Sequence, residues 1–152
     1  MLQLLAIVLF IILPTLIVWR SYRKPVIGDI SMLFNGAIAG VTGGIIGATV
    51  SSFIYGVNAY LIIGYAYWLF FIVPFAIVFT LIISFIQRLK FDANLPLRMI
   101  VGALLGLCVA MLWILMIKSE SNMQGAIWFR NGVIAMFIFT GMISGILTRE
   151  KR

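Results

Sequence analysis

Apolar residues fall in long runs along this chain, and the polar residues between them gather in short stretches. The first run covers Leu2 to Trp19 and ends at Arg20, Arg23 and Lys24. From Ile30 to Gln87 there are 58 residues without a charge. A helix rises 1.5 Å per residue, so crossing a hydrocarbon core of ~30 Å takes about 20 residues. The long run therefore holds two crossings and a turn, whereas three would leave no turn. The turn is expected at Gly56, Val57 and Asn58. Tyr55, Tyr60, Tyr65, Tyr67 and Trp68 crowd it, as an aromatic belt at a membrane interface does. A polar stretch from Arg88 to Arg98, with Asp92, Asn94 and Pro96 as turn residues, precedes a run from Met99 to Ile117. After Ser119 to Gln124 a last run reaches Thr148 and closes on a basic tail. The pattern predicts an all-α polytopic integral membrane bundle of five transmembrane helices, at about 2–19, 32–55, 60–87, 99–117 and 126–148, in one domain covering 1–152.

Inside the second run the small residues have their own period. Gly36, Gly40, Gly44, Ala48, Ser52 and Gly56 recur every fourth position, beside a second row of Ala39, Gly43, Gly47 and Ser51. Positions four apart stack on one helix face, so the two rows make a flat strip. In water each interior glycine costs about 1 kcal/mol against alanine. In lipid the strip instead lets another helix approach backbone to backbone. It is the expected centre of packing, either within the chain, against the fourth or fifth span, or against another subunit or membrane protein. The fourth run carries Gly102, Gly106 and Ala110, which makes it the leading candidate to dock there.

Composition agrees with lipid as the solvent: 64% of residues are hydrophobic and 10% charged, against about a quarter charged in soluble domains. A net charge of +7 suggests nucleic acid by itself, but its distribution argues against that partner. Nine of the eleven Lys and Arg residues lie in the stretches after the first and third runs and in the tail. Lys118 and Arg130 are the others. This is the bias of cytoplasmic loops, and it puts the N-terminus outside and the C-terminus in the cytoplasm of a bacterial-type inner membrane. Anionic lipid headgroups are the expected partners of the basic clusters. The first run is not read as a cleaved signal, because its positive charges follow the apolar core and do not precede it. Pro14 is expected to kink it.

Candidate chemistry is sparse. Histidine is absent and Cys108 is the single cysteine, so the commonest general base, the commonest metal ligand and an intrachain disulfide all drop out. The acids Asp29, Asp92, Glu120 and Glu150 sit at run ends or in connecting stretches. No catalytic residue, cofactor or metal site is expected, and the chain does not read as an enzyme. Arg130, beside Asn131, is the one awkward charge. It is either an outer end marker that snorkels to the headgroups or a buried cation facing a cavity, paired with Glu120 or an anionic substrate. Pro74 leaves a helical carbonyl without its donor, as a fixed kink or a hinge. Asn35, Thr42, Thr80 and Ser84 are available for interhelical hydrogen bonds.

A weak internal echo is also present, in two partial matches offset by two residues from one another. Asn35-Gly36-Ala37-Ile38-Ala39 matches Asn131-Gly132-Val133-Ile134-Ala135, and Thr42-Gly43-Gly44-Ile45-Ile46-Gly47 matches Thr140-Gly141-Met142-Ile143-Ser144-Gly145. The second and fifth runs point in opposite directions in this topology, as in a 2+1+2 inverted repeat. Two function classes follow. One is a non-catalytic inner-membrane protein acting through helix packing with itself or another membrane protein, such as an immunity-type protector or an assembly subunit. The packing residues are then Gly36, Gly40, Gly43, Gly44, Gly47, Ala48, Ser51, Ser52, Gly102 and Gly106. The other is a small oligomeric channel or transporter with the second helix at the path.

Overall fold

The computed structural model describes residues 2–23, 30–56, 59–88, 94–116 and 124–148. They form α1 (Leu2–Arg23), α2 (Ile30–Tyr55), α3 (Ala59–Arg88), α4 (Leu95–Met116) and α5 (Gln124–Leu147), with no strand among the described residues. Four helices are long and apolar enough to cross a bilayer, over Ser31–Tyr55, Ile63–Ile86, Leu95–Leu115 and Ile127–Leu147. The described residues are thus almost wholly helical, and four of their helices have the length and composition of membrane spans.

The helix ends lie within four residues of the expected ones. The largest differences occur where a charge was taken for a boundary. α1 carries Arg20 and Arg23 in its last turn, where cations meet the negative end of the helix dipole favourably. α4 starts before Arg98, whose backbone N–H donates to the Asn94 carbonyl at 3.1 Å. α2 stops before Gly56, which has φ +87°. That is the left-handed conformation glycine adopts without penalty. Val57 and Asn58, the rest of the expected turn, lie outside the described residues. Pro14 is buried inside α1 and Pro74 is exposed inside α3, while Pro96, expected in the turn, is the second residue of α4, where its missing N–H costs no helical bond.

α5 is the centre of the bundle and touches each of the other four helices. Its Val133, Met136, Phe137, Thr140 and Ser144 are all 1% exposed or less. α2 lies antiparallel against it, since Gly43 meets Thr140 and Gly47 meets Met136. α3 packs on both α2 and α5, with Ile72 and Phe79 in the core. α1 leans on α2 and on α5, placing Val18 and Tyr22 beside Ala39, Ile143 and Leu147.

The fourth helix does not dock on the glycine strip of α2, and among the described residues the two helices make no contact. Its row docks on α5. A Cβ on Gly102 would come within 2.7 Å of the Gly141 carbonyl carbon, and a Cβ on Gly141 would meet Gly102 equally. Gly106 similarly faces the Phe137 carbonyl, and Gly145 the Arg98 carbonyl. The physical reason is matching: α5 brings glycines of its own to this face, so the two backbones touch directly. Elsewhere α5 presents Thr140 and Met136, which need the open strip of α2.

Candidate functional site

The sequence-derived packing residues divide between two neighbours. Gly36 and Gly40 take α3, where a Cβ would lie 2.6 Å from the Cα of Ile77 and 2.8 Å from that of Val73. Gly43 and Gly47 take α5, each with a backbone nitrogen 2.6 Å from a Cβ position, that of Thr140 or of Met136. Gly44 meets only the tip of Leu69 and, at 3.6 Å, the Met136 methyl. Ala48 and Ser52 are half-buried, and Ser52 hydrogen-bonds to its own helix at Ala48. Both sides of the strip are thus covered from within the chain.

Buried Thr42, Ser51, Thr80, Thr140 and Ser144 lie among the apolar core residues of α2, α3 and α5, and each end of the bundle is held by hydrogen bonds between helices. At the basic end the Arg98 guanidinium donates through Nη1 to the Thr148 carbonyl, and Asn35 Nδ2 donates to the Leu147 carbonyl at 3.4 Å. The last carbonyls of a helix have no partner within it and carry the negative end of its dipole. An arginine from α4 and an amide from α2 fill that need. The Arg98 Nε is sealed from solvent without a partner among the described residues.

At the opposite end Ser51 Oγ and the Tyr65 hydroxyl lie 2.9 Å apart, and Asn131 Nδ2 donates to the Tyr55 hydroxyl at 2.9 Å. Gly132 makes room for Tyr65, whose ring edge would lie 2.5 Å from a Cβ there. Aromatic stacking seals the arrangement. Tyr55 lies on Trp128 at 5.9 Å between centroids and Tyr65 on Phe129 at 5.7 Å. Such pairs add about 0.5–1.5 kcal/mol beyond their buried area.

Between the two ends the core is hydroxyl-rich. Thr80 donates to its own helix at Ala76 and Ile77, and Ser144 reaches the same Ala76 carbonyl from α5 at 3.5 Å. Thr15, Thr42, Thr49, Ser52 and Thr148 also return their hydroxyls to the carbonyl four residues earlier. Thr140 is the exception. It is wholly buried, yet its Oγ1 has no hydrogen-bond partner among the described residues. That oxygen points at α2, 2.8 Å from where a Cβ of Gly43 would stand. An unpaired buried hydroxyl costs about 1–3 kcal/mol.

Arg130 is exposed on the first half of α5, and neighbouring Asn131 is the residue tied to Tyr55. Glu120, the candidate partner of Arg130, lies outside the described residues, as do Asp29, Asp92 and Glu150. Of the residues expected to bond between helices, Asn35 does so, while Thr42 and Thr80 bond within their own helices. Cys108 is exposed on α4. Among the described residues no group of His, Cys, Asp or Glu could hold a metal ion. Sequence reasoning placed Tyr55 and Tyr65 in an interface belt, Arg98 at a run boundary and Thr140 in the echo, and gave none of them a place in the site. The echo between the second and fifth runs was the available signal, because its repeated Asn-Gly marks the two hydrogen-bonded ends. Comparison with known family models, curated proteins and solved structures finds no match, so the functional reading rests on these residues.

Proposed function

We propose that this chain is a non-catalytic protein of a bacterial-type inner membrane that works as a small channel or carrier along the α2–α5 contact. In this reading all five helices cross the bilayer, the N-terminus is outside, and the end holding Arg20, Arg23 and Arg98 faces the cytoplasm. What supports the reading is that the α2–α5 contact is bridged at both ends, by Asn35 on the Leu147 carbonyl at one and by Asn131 on the Tyr55 hydroxyl at the other, with the buried Thr140 hydroxyl between them. Packing alone gains little from so many polar groups, since a hydrogen bond between membrane helices is worth about 0.6 kcal/mol. The test is reconstitution of the purified chain in liposomes. Faster solute or ion movement than in protein-free vesicles is expected, and equal rates would dismiss the proposal.

A second reading is action by packing against another membrane protein or a second copy, as an immunity-type protector or assembly subunit would. Because α3 and α5 occupy the glycine strip, the partner needs another surface. The half-buried stripe Ala135, Phe139, Met142 and Ile146 on α5 favours this reading, as it falls between the sides that meet α2 and α4. A solubilised complex with one unrelated membrane protein, disrupted by Phe139→Ala, is its expected signature. A bare monomer in mild detergent counts against it.

A further inference from the structure

We infer that the α2–α5 contact, in its open form, passes a small uncharged solute that forms hydrogen bonds, and that the Thr140 hydroxyl is the group that binds it. The inference rests on the channel or carrier reading and adds the class of solute and the residue that meets it.

Three observations carry it. Thr140 is the one hydroxyl of the core with no partner among the described residues, whereas Thr42, Thr80 and Thr148 satisfy theirs within a helical turn. A helical threonine has the carbonyl four residues back within reach. Forgoing it leaves Oγ1 free to donate and accept. Secondly, Oγ1 faces Gly43, the one kind of residue that adds no side chain between it and the opposite backbone. Thirdly, no charge occurs from Ile30 to Gln87 or from Asn131 to Thr148, so α2 and the inner two-thirds of α5 offer nothing to neutralise an ion in low dielectric. A hydroxyl that can donate and accept suits a polyol or an amide.

The contact is shut in this structure, because Gly43 and the Thr140 backbone touch. Admission of solute requires α2 and α5 to part, and the hydrogen-bonded groups at the two ends are what must release. Asn35 and Asn131 occupy matching places in the repeated Asn-Gly motif, and each binds near the end of the other's helix, at Leu147 and at Tyr55. The two ends of the antiparallel pair are therefore each closed by an asparagine, on a backbone carbonyl at one and on a tyrosine hydroxyl at the other.

The experiment uses the full chain in phosphatidylethanolamine–phosphatidylglycerol vesicles, with glycerol and urea as probes. Swelling is followed by light scattering and potassium movement by a trapped dye. Wild-type vesicles are expected to swell at least about tenfold faster than protein-free ones, and Thr140→Val to lose about five- to tenfold of that rate, the worth of one hydrogen bond. Thr140→Ser keeps the hydroxyl and is expected to keep the rate, which separates binding from packing. Recovery and helicity of each variant are checked by circular dichroism. Unchanged swelling with Thr140→Val overturns the inference. Potassium movement without swelling overturns it too while leaving the channel reading intact, and movement of neither overturns both.

Discussion

Two helices reach α5 through glycines and meet it on different terms. α4 does so carbonyl against glycine, with Gly102 and Gly141 facing each other, Gly106 on the Phe137 carbonyl and Gly145 on the Arg98 carbonyl, so two backbones lie in direct contact. α2 brings glycines to Thr140 and Met136, so backbone meets side-chain-bearing positions and polar groups share the space. In the first contact the groups facing the glycines are backbone carbonyls, which cannot give way. The second contains an unpaired hydroxyl and ends in hydrogen bonds. A small-residue row thus sets how close a helix may come, and the residues opposite decide whether the contact is a weld or a seam.

The largest effect is expected from breaking the weld. Gly102→Leu or Gly141→Leu drives a branched side chain into a facing carbonyl, which nothing nearby can vacate. We expect loss of about 3 kcal/mol or more, read as collapse of the folded fraction in dodecyl maltoside micelles titrated with dodecyl sulfate. A folded fraction equal to wild type would show that α4 is not held there.

Next comes a matched pair on α2. Gly43→Ala places a methyl against the Thr140 backbone, whereas Gly44→Ala meets only the movable tip of Leu69. About 1–3 kcal/mol is expected for the first and under about 0.5 kcal/mol for the second. Tryptophan fluorescence in the same titration distinguishes them. Equal costs would mean that the strip works by average thinness and not by specific opposition.

Arg98→Gln has the smallest expected effect on the weld itself. It removes a charged donor from the Thr148 carbonyl, worth about 1.5–3 kcal/mol when buried and less in this half-buried place. Hydrogen exchange should accelerate in the last turn of α5 and stay unchanged at Gly102 and Gly141. Loosening along the whole of α4 would show that arginine and glycines hold it as one unit.

The helices were legible because hydrophobic length and charge placement report directly on a bilayer. Their ends were less so, since Arg20, Arg23 and Arg98 belong to helical turns that a charge-based boundary excludes. The strip on α2 was legible as a packing face, but its partner was not. Gly102 and Gly106 fit a glycine strip equally well whether it belongs to α2 or to α5, and sequence spacing does not choose between them. Thr140 was invisible for a similar reason. A threonine in a helix ordinarily serves itself, and only the neighbouring Gly43 reveals that this one does not.

The position of α5 has a consequence for biogenesis. It is the last of the five to leave the ribosome, and α4 has almost no other neighbour. Until α5 arrives, the Gly43–Gly47 side of α2 and the glycine face of α4 wait with their backbones bare, and α4 depends on whatever holds nascent spans. Shortening the chain before Gln124 would therefore leave α1, α2 and α3 packed together and release α4 as a stray helix for quality control to destroy.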